Sequence, residues 1–209
     1  MIAIDNSSFE LPPLSSIAPF YNTGPITSWS IGGTGGVSSN NAGVYTAPDG
    51  VQVGFSGSPT GASAYGVLMQ SLGPVVAGAT YDLSVDVGVQ TAEPVNDYRL
   101  LLGVWGPGGH DLASATIFAS VTNPVAVAPG IFSLASLTGT APLDASGQLV
   151  VFLENSNAFA IPTQTAWDNV QVSVPEPSEW AMLLLGFAAV GLAAYLQRKK
   201  NSTAAFIAV

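Results

Sequence analysis

The side chains that could perform chemistry in this chain of 209 residues are few and scattered. Cysteine is absent, which excludes disulfides and thiolate chemistry, and a single histidine, His110, excludes a multi-histidine metal centre. His110 follows two glycines in a predicted loop, where we expect it to be solvated. Asp82 and Asp86 share a predicted strand with carboxyls about 13 Å apart, farther than in glycosidase pairs. A cross-strand pair such as Asp82 with Glu154 stays open.

No sequence motif supplies a catalytic framework either. The chain contains neither the G-x-S-x-G of a serine hydrolase nor the H-E-x-x-H of a zinc protease. The net charge is −9, and three of the four basic residues stand together at 198–200. A nucleic-acid-binding surface needs clustered Lys and Arg, so that class is excluded. We predict that the protein is not an enzyme and needs no cofactor.

Asp168 is the acid whose surroundings the sequence constrains most. It alternates with Val170, Val172 and Val174, which predicts that its side chain faces the core with theirs. A carboxylate inside a core is costly unless it is compensated. Three arrangements stay open: hydrogen bonds from backbone amides, a place at the edge of the core, or a bound cation.

The elements that must position these residues are strands. Residues 80–88 alternate polar and apolar side chains, which predicts Tyr81, Leu83, Val85 and Val87 on the inner face. Turn-rich segments separate this strand from further predicted strands at 51–55, 64–71, 98–105, 115–120, 130–137, 148–154 and 165–174. The glycine-rich segment 32–36 and Ser38–Ser39 predict a flexible loop. The pattern favours an all-β fold, an antiparallel β-sandwich of jelly-roll type, over residues 1–174.

The chain changes character at residue 175. Pro175, Glu176 and Pro177 lie in a predicted extended linker, 175–179. An uncharged segment, 180–196, would form a single C-terminal transmembrane helix about 25 Å long. The residues that mark this predicted anchor are Trp180, Leu184, Gly186, Leu192, Tyr195 and Leu196. A basic stop at 197–200, with Arg198, Lys199 and Lys200, should stay cytoplasmic together with a short tail, 201–209.

This tail resembles the PEP-CTERM sorting signal of exopolysaccharide-producing Gram-negative bacteria. The resemblance implies export, transient anchoring in the inner membrane with the body in the periplasm, and recognition near Pro175–Pro177 by an exosortase-type processing enzyme. Release to the cell surface or the extracellular matrix would follow. Residues 1–5 lack a signal-peptide pattern. We therefore expect a start upstream of Met1, or export by the C-terminal span alone.

The body resembles galactose-binding-like jelly rolls, the fold of many carbohydrate-binding modules. The resemblance rests on the N-x-S-F-E segment at 6–10 and on W-D-N-V at 167–170. In such modules a structural calcium ion joins the first and last strands, which would carry over to Glu10 and Asp168. The alternative is that Asp168 caps a turn and Glu10 is solvated.

Such modules stack aromatic rings on sugars. The candidates here are Trp105, Trp167 on the outward side beside Asn169, and then Trp29 and Tyr45. We therefore predict an exported surface or matrix protein with a non-catalytic, structural or adhesive sandwich. The alternative is a carbohydrate-binding module that recognises exopolysaccharide, and the third is a glycan-active enzyme.

Overall fold

The computed structural model describes residues 1–14, 21–39, 46–58, 65–89, 97–155 and 163–174. They all belong to one unit of the chain, Met1–Val174. In this described part no helix is long and apolar enough to cross a membrane. The predicted linker, transmembrane helix, basic stop and tail at 175–209 lie outside the described residues, as does Tyr45.

The described residues form two antiparallel sheets, which confirms an all-β, jelly-roll-like architecture. The strands are β1 Tyr21–Asn22, β2 Ser30–Gly33, β3 Gly35–Ser39, β4 Gln52–Ser58, β5 Gly66–Pro74, β6 Thr80–Val89, β7 Tyr98–Trp105, β8 Ala115–Thr122, β9 Phe132–Thr140, β10 Gln148–Asn155 and β11 Thr163–Ser173. One sheet has six strands in the order β1-β3-β4-β11-β6-β9, and the other has five in the order β2-β5-β10-β7-β8. Strands distant in sequence are therefore neighbours in space.

The core lies between the sheets and is built by strict alternation. Tyr81, Leu83, Val85 and Val87 of β6 are at most 1% exposed, which confirms the face predicted for them. Strands β7 and β10 alternate in the same way and contribute leucines and valines from the opposite sheet. Burial of these side chains stabilises the fold by about 25 cal/mol for each Å² of apolar area that is removed from water.

The prediction of a flexible glycine-rich loop at 32–36 is wrong, because all of these residues except Thr34 belong to β2 or β3. Their lack of side chains is what lets the strands approach other backbone closely. A Cβ on Gly36 would collide with the carbonyl of Asn22, and one on Gly35 would lie 2.9 Å from the Phe55 carbonyl. Glycine here permits strand pairing instead of interrupting it.

A bulge in β11 reverses the faces predicted around residue 168. The register with β6 shifts between Asp168 and Gln171, and Asn169 adopts a positive φ of 49°. The extra residue changes the alternation, so Trp167 joins Val170 in the core at 0% exposure. The predicted inward Asp168 and outward Trp167 are both wrong. Asp168 lies on the outer face of the six-stranded sheet.

Candidate functional site

Asp168 is a fully buried acid held by backbone amides. Its Oδ2 accepts a hydrogen bond from the Asp49 backbone N–H at 2.8 Å, and its Oδ1 accepts one from the Asn169 N–H at 2.8 Å. The side chain is 0% exposed. Of the three arrangements that the sequence left open, the structure therefore contains the first, hydrogen bonds from backbone amides.

These surroundings change the acidity of Asp168. The pKa of its carboxyl is raised to about 7, mainly by burial and also by the negative charges of Asp49 and Asp86, while the two backbone hydrogen bonds oppose the shift. Near neutral pH about half of the molecules therefore carry a proton on this carboxyl. A group that is protonated at neutral pH in a buried setting can act as a general acid.

Asn169 connects Asp168 to a second acid. Asp86 lies directly opposite Asp168 in the β6–β11 register, so both side chains share the outer face. The Asn169 side-chain amide donates to Asp86 Oδ2 at 3.3 Å, while its backbone N–H binds Asp168. Gln171 Nε2 donates to Asn169 Oδ1 at 2.9 Å, which turns the Asn169 NH₂ group toward Asp86.

The same face carries an apolar cluster beside the two acids. Ala47, Val53 and Ala166 are buried there, and Phe132 packs against them. Phe132 also covers Gly88, two residues from Asp86 on the same side of β6, since a Cβ on Gly88 would lie 2.9 Å from its ring. The outer face therefore combines a protonatable buried acid, a partly exposed second acid and a small, largely buried apolar cluster.

The predicted calcium ligands fit a cation poorly. Glu10 Oε1 accepts hydrogen bonds from the Val51 and Gln52 N–H groups, both at 2.8 Å, instead of being solvated. Both Asp168 oxygens accept hydrogen bonds from backbone N–H groups. Among the described residues no group of three or more His, Cys, Asp or Glu side chains could hold a metal ion. We derive no step through calcium.

The glycan-binding candidates do not come together. Trp167 is buried between the sheets, where its Nε1–H donates to Ser56 Oγ at 2.8 Å. Trp29 packs on Phe9 in the core and is 5% exposed. Trp105 is 8% exposed on the other sheet, where it donates to the Asp111 carbonyl at 2.8 Å. These three rings are covered by protein, so none of them offers an open stacking surface.

The remaining polar candidates are separated as well. His110 is exposed in its loop, which confirms the prediction for it. Asp82 Oδ1 accepts a hydrogen bond from Thr138 Oγ1 at 2.6 Å on the six-stranded sheet, whereas Glu154 lies on the five-stranded sheet. An Asp82–Glu154 pair is therefore excluded.

The protein is a two-layer β-sandwich with a buried, protonatable acid on the outer face of one sheet. Comparison with known families identifies it further. The model of the HpiC1-like family, described as HpiC1 cyclase, matches residues 1–173. The chain belongs to this family. No curated protein matches the chain.

Solved structures of cyclases have a fold similar to that of this chain. A Stig cyclase, Fisc, from Fischerella sp. TAU is 20% identical over 82% of this chain and 95% of its own, with a TM-score of 0.62. A cyclase from Fischerella sp. TAU in complex with 4-(1H-indol-3-yl)butan-2-one is also 20% identical, over 82% and 96%, with a TM-score of 0.62. The carbohydrate-binding module TmCBM61 is 14% identical over 82% and 97%, and its TM-score of 0.48 supports no functional argument.

Family membership corrects two predictions. A non-catalytic structural or adhesive sandwich, with a carbohydrate-binding module as alternative, is contradicted because the family is one of cyclases. For the same reason the prediction that the protein is not an enzyme is wrong. Activated nucleophiles and bound metals leave recognisable sequence motifs, whereas ring closure by proton transfer needs neither. The one usable signal was the buried acid at 168, which we interpreted as a structural residue.

Proposed function

We propose that this protein is a cyclase that uses Asp168 as its general acid. The observation that supports this is a fully buried carboxyl whose pKa is raised to about 7 beside an apolar cluster. Such an acid holds its proton in about half of the molecules near pH 7, and it lies beside a buried apolar cluster that an apolar substrate would contact once part of the cover moves. Its backbone hydrogen bonds hold the carboxyl in one orientation, as proton delivery requires.

The reaction class follows from this arrangement. Asp168 donates a proton to an unsaturated carbon of the substrate, and a second π bond of the same molecule attacks the cation to close a ring. Loss of a proton then completes the reaction, so the product is an isomer of the substrate. The buried, apolar surroundings limit capture of the cation by water.

An aromatic, indole-type substrate is the class that we propose. The ligands named with two similar cyclases are (3Z)-3-(1-methyl-2-pyrrolidinylidene)-3H-indole and 4-(1H-indol-3-yl)butan-2-one. The apolar cluster of Ala47, Val53, Ala166 and Phe132 suits a flat apolar ring. Because Asp168 is 0% exposed, binding must move part of its cover, which includes the turn at Asp49.

The test is turnover by the purified full-length chain on a panel of 3-alkenylindoles, with isomeric products detected by chromatography and mass spectrometry. We expect Asp168→Asn to lose about 10²- to 10⁴-fold in rate, the usual contribution of a positioned acid. The matched control is Asp144→Asn, which removes an exposed charge in a turn. The wild-type rate should fall as the pH rises through about 7, because Asp168 then loses its proton. Full activity of Asp168→Asn would refute the assignment.

We also propose that residues 175–200 direct export of this cyclase by way of the inner membrane, with an exosortase-type enzyme as processing partner. The support is the order of Pro175–Pro177, an uncharged segment and a basic cluster in the sequence. The intact mass of the protein recovered from its host tests this. A secreted form ending near Pro177 is expected, and a full-length form confined to the membrane fraction would contradict it.

A further inference from the structure

We propose that Asp86 is the base that removes the proton lost at ring closure, so that Asp86 and Asp168 work as a catalytic pair. The inference rests on the proposed function of Asp168. It assigns the second half of the reaction to a residue that no motif marks.

The first support is the position of the two side chains. Asp86 and Asp168 are direct partners in the antiparallel β6–β11 pairing, where Cβ atoms of opposed residues lie about 5 Å apart. Their neighbours along the strands, Val87 and Trp167, are also partners and point into the core. Both carboxyls therefore project from the same face, close enough to reach one small substrate from adjacent strands.

The second support is the difference between the two environments. Asp168 is fully buried, whereas Asp86 is partly exposed. Asp86 Oδ2 accepts the Asn169 amide, and in the described part of the chain its Oδ1 accepts no hydrogen bond. A carboxylate with one oxygen anchored and the other available can accept a proton without losing its orientation. Paired acids in unlike environments take unlike roles.

The third support is that Asn169 holds both groups together. Its backbone N–H binds Asp168 and its side-chain amide binds Asp86, so one residue sets the spacing of the pair. The positive φ of 49° at Asn169 is the conformation that lets it do both from within the bulge. Asparagine tolerates this region better than most residues, and such strain concentrates at functional sites.

The proton balance is complete for a 3-(3-methylbut-2-enyl)indole. The Asp168 proton adds to the alkene carbon nearer the ring, which leaves a tertiary cation. Indole C2 attacks that cation with its π electrons and closes a five-membered ring. The C2–H bond then breaks, its electrons restore the aromatic system, and the proton goes to Asp86. Solvent returns a proton to Asp168 and removes one from Asp86, so no other reactant is consumed.

The experiment compares this substrate with its C2-deuterated form in the full-length wild type and in Asp86→Asn. We expect Asp86→Asn to turn over about 10²-fold more slowly and to show a primary isotope effect larger than that of the wild type, because C2–H cleavage becomes rate-limiting. Asp86→Glu should recover part of the rate. Asp82→Asn is the control, since it removes a charge from the same face of the same strand.

The outcomes separate the two proposals. A slower Asp86→Asn with an isotope effect equal to that of the wild type, or no loss of rate at all, would overturn the role of Asp86 and leave Asp168 as the acid. Undiminished turnover by Asp168→Asn, or no turnover by the wild type, would overturn the proposed function itself.

Discussion

Two buried carboxyls, one on the outer face of each sheet, differ in what compensates their burial. Glu154 is 2% exposed and accepts two hydrogen bonds from the Arg99 guanidinium, at 2.7 and 2.8 Å. The hydrogen bonds to Glu154 raise the pKa of Arg99 above its usual value. Asp168 is equally buried, but within the described residues its carboxyl accepts hydrogen bonds only from backbone N–H groups, and its pKa rises to about 7.

The difference teaches that the partner of a buried carboxyl, and not burial alone, decides how its charge is compensated. Arg99 is the only Lys or Arg among residues 1–174, so only one buried carboxylate can have such a cation as its partner. The acid beside that cation becomes a fixed ion pair. The acid without one has a pKa raised to about 7.

The largest effect should come from breaking the ion pair. Arg99→Met leaves Glu154 buried without its cation, and we expect a loss of about 3 kcal/mol in the free energy of unfolding, at the low end for such pairs because Arg99 is partly exposed. Urea denaturation of the full-length chain measures it. The double variant Arg99→Met, Glu154→Leu should recover most of the loss. An unchanged single variant would mean that the pair contributes nothing.

A smaller effect is expected from pH acting on Asp168. Its pKa of about 7 in the folded protein lies above the unfolded value of 3.8, so the folded state binds more protons between these values. Stability from this group is therefore greatest below about pH 4 and falls as the pH rises, by about 2 kcal/mol between pH 5 and pH 7. Unfolding at several pH values should show this fall in the wild type and in Asp144→Asn. Asp168→Asn should flatten it, and an identical slope would contradict the shifted pKa.

The smallest effect concerns the bulge that turns Asp168 away from the core. Asn169→Ala places a side chain that disfavours positive φ at 49° and removes the amide bound to Asp86, so we expect a loss of about 1 kcal/mol. Asn169→Gly accepts the backbone conformation and should lose less in thermal unfolding. If both variants match the wild type, the bulge does not depend on Asn169.

Much of the fold was predictable because its signals are local. Alternation along residues 80–88 located β6 and its inner face, and turn residues bounded most other strands. Strands β2 and β3 were missed because glycine normally weakens a strand. Their formation depends on close backbone contacts with segments that the local pattern does not name.

The candidate site was predictable only in part. Asp168 stood out from the sequence as an acid that needed compensation, and hydrogen bonds from backbone amides were one of the expected arrangements, but its predicted face was wrong. A single bulge residue changes the alternation of every later side chain in the strand, and no local pattern marks it. From the sequence, Asp86 was compared only with Asp82, whose carboxyl is too distant for a glycosidase pair. Its actual partner in the sheet, Asp168, lies 82 positions later in the chain, which no local pattern indicates.

By itself, the sequence determined the strand content, the apolar core faces and the scarcity of cations, because these follow from residue types and their spacing. The tertiary structure alone decided which buried acid meets Arg99 and which meets amide groups. Asp49 and Asp168 are 119 residues apart, and only the packing of the turn after residue 47 against β11 brings the Asp49 N–H to that carboxyl. The acidity of Asp168 depends on such long-range contacts, because burial and neighbouring charge are properties of the folded chain.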